Sequence, residues 1–388
     1  MSAGLSTEPT LPDLLAERAR RHGAAVALRH KRLGLWHSQT WSELAAQVQQ
    51  LAAGLATRGF AAGDRLLIDA AAEPALFRLV LAVHWLGGSV VVRGPEAGAV
   101  AADDAARFAL AGDEPARVRL LEALGDGAPV LGIILDGDAS GDGATPWISL
   151  DELEHGATSL TSPAATSDAV ALLHAGGGAN AARLTHRALV SDARALLAAA
   201  RIEARHQALI FAELPLAAQL AGVLAAWLSA GFSLGFVETA ATQDLDRREL
   251  GPHVLFGAER DYAALLERIS VALPARTGFE GRWVARALDG ADTPARVARR
   301  LVVSRLREVA GLGRVERALV LGGAAPRTGL ERLFGLQALE WPARASAAAE
   351  RPETGATRED AVAEALASSA LLGLGREGLA ASSRSDLA

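Results

Sequence analysis

A tract of three glycines behind an apolar run is the first group of residues in this sequence that suggests chemistry. The run Ala169–Leu173 predicts a buried strand, and Leu184 opens a segment with helical spacing. A strand, a glycine loop and a helix in this order can bring backbone N–H groups together around a phosphate. The loop has no lysine, and no serine or threonine precedes Thr185, so it lacks the side chains that usually hold nucleotide phosphates. The candidate phosphate-binding residues are Gly176, Gly177 and Gly178.

Composition limits the chemistry further. Lys31 is the only lysine, and arginine does not replace lysine as a compact, mobile ammonium group. The chain has no cysteine, which excludes disulfides, thiolate catalysis and cysteine zinc sites. The Asp- and Gly-rich segment Asp136–Pro146 lacks the terminal glutamate of an EF-hand loop, so we predict turns and no metal site there.

Charge and hydropathy indicate the partners and the cellular location of the protein. The net charge of -6 argues against a nucleic-acid partner, which would favour a basic surface. The start of the sequence is polar and has no signal-peptide pattern. The longest apolar stretches are too short, or too interrupted by Gly and Ser, to cross a bilayer. We therefore expect a cytoplasmic protein with no transmembrane segment.

Helical and strand patterns alternate along the chain. Leu11–His22 has the spacing of an amphipathic helix, and Thr40 with Glu43 forms a capping box at the start of the next helix. Pro74–Trp85 predicts a further helix, and the β-branched run Val90–Val92 predicts a buried strand behind it. Alternation of this kind over the whole length predicts an α/β protein with largely parallel sheets.

The segment Arg282–Val309 is a strongly basic helical stretch. Such a segment usually forms a solvated face, and the alternative is a surface for acidic headgroups or CoA phosphates. Its arginines are Arg282, Arg286, Arg296, Arg299, Arg300, Arg305 and Arg307.

Four segments, taken together, resemble the adenylate-forming enzymes, and within them the bacterial long-chain acyl-CoA synthetases. They are Leu11–Arg65, the LTHRAL motif Leu184–Leu189, the LPLA motif Leu214–Ala217 and the LGGAAP motif Leu321–Pro326. The resemblance covers roughly 330 residues. It implies the large N-terminal domain of that fold, in which two helix-covered, largely parallel sheets pack through helices.

The sequence departs from the family at the positions that carry the family's chemistry. The family's phosphate loop reads Y-T-S-G-T-T-G-x-P-K-G, whereas His174–Arg183 is shorter and has neither a hydroxyl nor a lysine. The family's aromatic-Gly-x-Thr-Glu motif, whose glutamate helps to hold magnesium, corresponds to Leu339–Arg344, which does not match it. The Thr-Gly-Asp ribose motif does not occur, and Ala218 stands where the family has a histidine.

The C-terminal lid of the family carries a catalytic lysine, and no lysine follows Lys31 here. We expect residues 1–342 to form a truncated N-terminal domain like that of the acyl-CoA synthetases. For residues 343–388 we expect a flexible linker and a short helical tail, with the lid domain absent or vestigial.

Several residues that match the family remain as candidate binding residues. The segment Gly322, Gly323, Ala324, Ala325 and Pro326 corresponds to backbone that approaches adenine in the family, although a tight turn between strand and helix explains it equally well. Thr185 and His186 are candidates for the nucleotide or acyl pocket, and Thr185 is also a good N-cap. His174 is expected to pack in the core or beside the loop. Ser191 and Asp192 with His186 could suggest a nucleophile, but on one helix they lie on different faces, and no G-x-S-x-G elbow occurs. Because the positions that carry the family's chemistry are also lost, we predict no catalytic residue.

Two hypotheses follow from this pattern. The first is a catalytically impaired or inactive acyl-CoA synthetase homologue that binds an acyl or nucleotide small molecule or a protein partner. The second is a divergent long-chain fatty acid or carboxylic acid–CoA ligase, which would use ATP, magnesium and CoA and form an acyl-adenylate. The ligase hypothesis needs Arg183 and Glu340 to replace the missing lysine and glutamate.

Overall fold

The computed structural model contains two seven-stranded sheets, and all of its described residues belong to one compact unit that spans residues 1–349. The domain boundary predicted after residue 342, and the tail predicted beyond it, lie outside the described residues. The structure describes residues 8–93, 106–125, 127, 129–139, 145–154, 162–175, 183–212, 214–275, 277–290, 293–321 and 325–340.

Sheet A has the strand order β14-β13-β12-β10-β11-β1-β2, and every neighbouring pair is parallel except β1–β2. The β1–β2 pair is an antiparallel hairpin at one edge. The strands are β1 Val26–Arg32, β2 Leu35–Thr40, β10 Gln207–Ile210, β11 Ser233–Phe236, β12 Val254–Ala258, β13 Arg317–Leu321 and β14 Ala338–Glu340.

Sheet B has the order β7-β6-β5-β3-β4-β8-β9, and only its edge pair β8–β9 is antiparallel. The two sheets therefore share one plan, with six parallel strands and one reversed edge strand each. The strands are β3 Arg65–Asp69, β4 Ser89–Arg93, β5 Phe108–Ala111, β6 Leu131–Ile134, β7 Trp147–Ser149, β8 Val170–Ala175 and β9 Arg183–Thr185.

Helices separate the two sheets and cover their outer faces. They are α1 Leu11–His22, α2 Trp41–Thr57, α3 Pro74–Trp85, α4 Glu114–Leu124, α5 Leu150–Glu154, α6 His186–Ala200, α7 Leu216–Ala218, α8 Ala225–Ala230, α9 Gln243–Leu250, α10 Glu259–Ala272, α11 Phe279–Asp289, α12 Thr293–Val309 and α13 Ala325–Phe334. A π-helical segment, Gln219–Leu224, joins α7 to α8.

The largest hydrophobic core lies between the sheets and contains α2, α3, α6 and the α7–α8 segment. Alternate residues of the central strands point into it, for example Ile68 of sheet B and Ile210 of sheet A. Trp41 and Trp227 pack against each other at its centre with ring centroids 5.0 Å apart, and the indole N–H of Trp227 donates to the carbonyl of Ala27 at 2.9 Å. The other faces of sheets A and B form two further cores, so the prediction of two helix-covered, largely parallel sheets is confirmed.

The Arg-rich stretch predicted as one helical segment is two helices. Gly290 follows α11, and its amide donates to the carbonyl of Arg286 at 2.8 Å. A β-carbon at Gly290 would come within 2.5 Å of that same carbonyl oxygen and 2.7 Å of Ala295, so the tight connection requires glycine. The chain therefore folds back, and α11 packs against α12.

Candidate functional site

The β8–β9 hairpin places the two ends of the glycine segment. Gly176, Gly177 and Gly178 lie outside the described residues, whereas the strands on either side of the segment, β8 and β9, lie within them. β8 and β9 pair in antiparallel register, with Leu173 opposite Arg183 and Val170 opposite Thr185. The segment therefore connects two strands that run side by side in opposite directions.

The helix that follows the hairpin begins at the other end of the sheet. The amide of His186, the first residue of α6, donates to the carbonyl of Ala169 at 3.2 Å, and the amide of Arg187 donates to Ser167 at 2.8 Å. Ala169 immediately precedes β8, whereas the glycine segment follows Ala175, so β8 separates them by roughly 20 Å. The short strand β9 returns the chain before the helix starts, so the N-terminus of α6 does not lie beside the glycine segment. Phosphate binding by Gly176, Gly177 and Gly178 themselves stays a prediction.

Thr185 caps α6. Its hydroxyl oxygen accepts a hydrogen bond from the amide of Ala188 at 3.2 Å, and its backbone is extended, as an N-cap requires. The predicted N-cap role is confirmed, and it is sufficient to explain the residue.

His186 lies in the interior with 0% of its surface exposed. Its Nδ1 accepts from the amide of Leu11 at 3.4 Å, and its ring meets that of His84 edge-on at 5.0 Å between centroids. His84 in turn donates from Nε2 to the carbonyl of Ala171 at 3.0 Å. Burial lowers the pKa of His186 to about 3 and that of His84 to about 4, so both rings are neutral at pH 7. The enclosed ring of His186 presents no atom to a ligand, and Ser191 lies on the exposed side of the same helix.

Arg183 opens β9 and lines a small cavity of about 160 Å³. Arg65 and Ser89, the first residues of β3 and β4, also line it, together with the turn glycines Gly63 and Gly87. This cavity lies toward the amino ends of the parallel strands of sheet B. Ligands of open α/β sheets bind at the carboxyl ends of the strands, which is also the end where the glycine segment begins.

Lys31 is held in a closed cluster of charges beside sheet A. It is 7% exposed, and its Nζ donates to Asp246 at 3.0 Å and to Glu249 at 2.7 Å. These two hydrogen bonds, to Glu249 and to Asp246, raise the pKa of Lys31. Glu249 also accepts from the indole of Trp36 at 2.9 Å. The only lysine of the chain is thus committed to joining β1 to α9.

The LGGAAP segment lies between a strand and a helix, a position that fits both the adenine-binding and the turn interpretation. β13 ends at Leu321 and α13 begins at Ala325. Gly322, Gly323 and Ala324 lie outside the described residues, and Pro326 is buried in the first turn of α13.

Glu340 ends the neighbouring strand β14, and its carboxylate pairs with Arg327 of α13 at 3.0 Å. Sequence reasoning had no means to find this pair, because it depends on how helix α13 packs beside strand β14. His174 lies in β8 opposite Val92, half-buried, and burial lowers its pKa.

Two further properties concern the described residues as a group. No cluster of three or more histidines or carboxylates with metal-binding geometry occurs among them. Within the same residues, no helix is both long and apolar enough to cross a membrane.

Comparison with known proteins agrees with the fold. The sequence matches the AMP-binding enzyme family over residues 15–335, and no curated protein matches the chain. The structure resembles a long-chain-fatty-acid CoA ligase from Rhodopseudomonas palustris, with 17% identity, a TM-score of 0.59, and coverage of 86% of this chain and 75% of the other.

Two other solved structures are similar at the same level. The A domain of carboxylic acid reductase from Segniliparus rugosus, in complex with AMP and a co-purified carboxylic acid, has 15% identity and a TM-score of 0.65 over 87% of this chain and 60% of its own. An acyl-CoA synthetase from Brucella canis has 15% identity and a TM-score of 0.63 over 85% and 56%. This chain thus spans little more than half the length of these last two proteins. The chain belongs to the AMP-binding enzyme family.

Proposed function

We propose that this protein is a non-adenylating member of its family, which acts by binding a small acyl, carboxylic or nucleotide ligand or a protein partner. One observation carries the proposal. The segment His174–Arg183, where the family holds nucleotide phosphates, has no lysine or hydroxyl, and the only lysine of the chain is locked between Asp246 and Glu249. The chain therefore has no further lysine side chain that could bind a phosphate.

The residues present do not fit ATP with magnesium. Hydrogen bonds to charged groups contribute about 1.5–3 kcal/mol each, so the loss of several such donors weakens phosphate binding greatly. Glu340, the candidate metal carboxylate, is neutralised by Arg327 at 3.0 Å. Arg183, the candidate replacement for the lysine, carries a planar guanidinium that does not reproduce the compact ammonium group of lysine.

The preserved hydrophobic core favours a protein that is kept for a binding role over the unselected remnant of a gene, in which charged residues would have entered the strands. Strand residues such as Val90 and Val91 are fully buried on both faces of sheet B, and the core between the sheets is continuous. The Segniliparus neighbour holds AMP and a carboxylic acid, and we propose a ligand of one of these classes for this protein.

The test is ATP–pyrophosphate exchange by the purified full chain with a panel of fatty and aromatic acids, beside calorimetric titration with AMP and with each acid. We expect no exchange above the protein-free rate, and binding of an acid or AMP without magnesium dependence. Exchange that is lost in Arg183→Ala but kept in Arg194→Ala would establish the ligase alternative. Arg194 is a matched control because it is an exposed arginine on α6. Absence of both exchange and small-molecule binding would leave the protein-partner form of the proposal.

A further inference from the structure

We propose that the outer face of the α11–α12 hairpin docks on an anionic lipid surface. This surface is independent of the proposed ligand site. We call it the α11–α12 surface and define it by its exposed residues Phe279, Arg282, Trp283, Arg286, Arg296, Val297, Arg300, Leu301 and Arg305.

Helix α11 contributes a stripe in which aromatic and basic side chains alternate. Phe279, Arg282, Trp283 and Arg286 follow the spacing i, i+3, i+4, i+7, so they share one face of the helix. All four are exposed, and Phe279 keeps 79% of its surface in contact with solvent. Exposed apolar side chains that lie next to one another, as Phe279 and Trp283 do, are typical of an interaction surface.

Helix α12 repeats the pattern with aliphatic residues. Val297 and Leu301 are one turn apart and are 58% and 66% exposed, with Arg296 and Arg300 directly before them. The opposite face of α12 is the one that packs, since Ala295 and Val302 are buried.

The two stripes belong to one layer of the protein. α11 and α12 pack against each other, and both contact α13, which covers sheet A together with α10. Ala287 and Leu288 are the buried residues of α11 on this inner side. The faces turned away from α13 therefore form one broad, exposed surface.

Charge complementarity identifies the occupant. Residues 277–309 contain seven arginines and four carboxylates, a net charge of +3 in a chain whose total is -6. Asp289 pairs with Arg332, which lies outside this segment, at 2.8 Å, whereas Glu308 pairs with Arg305 of the surface itself at 2.7 Å. The surface is thus a basic region of an acidic protein.

The apolar residues favour a lipid surface over an acidic protein. Amphipathic helices rich in arginine, with Trp, Phe and Leu among the charges, lie in the headgroup region of bilayers. There the rings and aliphatic side chains enter the acyl boundary, while the long arginine side chains reach the phosphates.

Flotation of the full chain with vesicles tests the proposal. We expect binding to phosphatidylcholine vesicles that contain phosphatidylglycerol, little binding to phosphatidylcholine alone, and a decline as salt rises. Each of Arg282→Gln and Arg300→Gln should weaken the partition coefficient about fivefold, and Leu301→Glu should weaken it about tenfold. The matched controls are Arg194→Gln on α6 and Val118→Glu on α4, both at exposed positions, which should leave binding unchanged.

The other outcomes overturn the proposal. Equal binding to both vesicle types would remove the electrostatic basis, and binding that the three substitutions do not change would place it elsewhere on the chain. No vesicle binding, with self-association that Leu301→Glu abolishes, would assign the surface to a second copy. If the protein neither binds vesicles nor self-associates, the α11–α12 surface is simply a solvated face. Far-UV circular dichroism of each variant establishes that the fold is retained.

Discussion

The reversed edge strands of the two sheets belong to hairpins that occupy equivalent places and differ in what they hold. The β1–β2 hairpin of sheet A turns in two residues, Leu33 and Gly34, and buries its lysine against α9. The β8–β9 hairpin of sheet B turns through seven residues, 176–182, the segment in which the family carries a phosphate-binding lysine and this chain does not. The only lysine of the chain thus lies in the β1–β2 hairpin, where its role is structural.

The residues that surround the β1–β2 hairpin explain why its lysine has a structural role. Asp246 is fully buried and accepts hydrogen bonds from Lys31, from the amide of Glu238 at 2.9 Å and from the hydroxyl of Thr242 at 2.8 Å. Three donors of the protein therefore hold this buried carboxylate, which fixes the position of the Lys31 ammonium group. Beside the β8–β9 hairpin, by contrast, the ion pair of Arg187 with Asp168 lies at the surface.

The largest expected loss of stability follows from a substitution in the Lys31–Asp246–Glu249 cluster. Asp246→Ala leaves Lys31 without its buried partner, and removal of one member of a buried pair costs about 3–5 kcal/mol. Urea unfolding, followed by circular dichroism, should show this loss in the free energy of unfolding. Asp168→Ala, in the surface pair of the other hairpin, should leave stability unchanged. Equal losses in the two variants would contradict the contrast between the hairpins.

The second prediction concerns the buried histidines at the base of the β8–β9 hairpin. The pKa values of His186 and His84 are lowered to about 3 and about 4, from about 6.5 in the unfolded chain. Below pH 6.5 the unfolded chain therefore takes up protons that the folded protein does not. Stability is complete above this pH and falls as the pH decreases, by about 1.4 kcal/mol per pH unit for each ring.

His186→Leu should remove one of these contributions and flatten the fall in stability between about pH 6 and pH 4. The measurement is urea unfolding at a series of pH values, with His22→Gln at an exposed position of α1 as the control. An unchanged slope in His186→Leu would show that this ring titrates in the folded protein much as it does in the unfolded chain.

The smallest expected effect is at the turn of the β1–β2 hairpin. Leu33 has φ 50° and Gly34 has φ 76°, so both central residues are left-handed, and leucine is strained there. Leu33→Asn should stabilise the protein by about 1 kcal/mol, because asparagine tolerates this conformation and favours such turns. Thermal unfolding measures the gain, and Leu35→Asn on the adjacent strand should show none. A loss of stability in Leu33→Asn would mean that the leucine makes a contact that outweighs the backbone strain.

Local signals predicted most of the secondary structure. The bounds of α1, α3 and α6 agree with the expected helices, and Thr40 and Glu43 form the predicted capping box, with the Thr40 hydroxyl accepting from the Glu43 amide at 3.3 Å. Caps and apolar spacing act within a few residues, so sequence reports them directly. The missed elements are β7, β9, β14, α5 and α9. They are three strands of three residues each, a helix of five residues and a polar helix, which carry too little apolar periodicity to be found.

The sequence alone determined the α/β class, the family resemblance and the loss of lysine from the phosphate segment. These depend on residue identity and on spacing along the chain. Only the tertiary structure decided that α6 starts at the far end of β8 from the glycine segment, that Lys31 is enclosed by Asp246 and Glu249, and that Glu340 faces Arg327. Each of these rests on strand direction or on pairing between distant segments, and a linear sequence does not record which residues such pairing brings together.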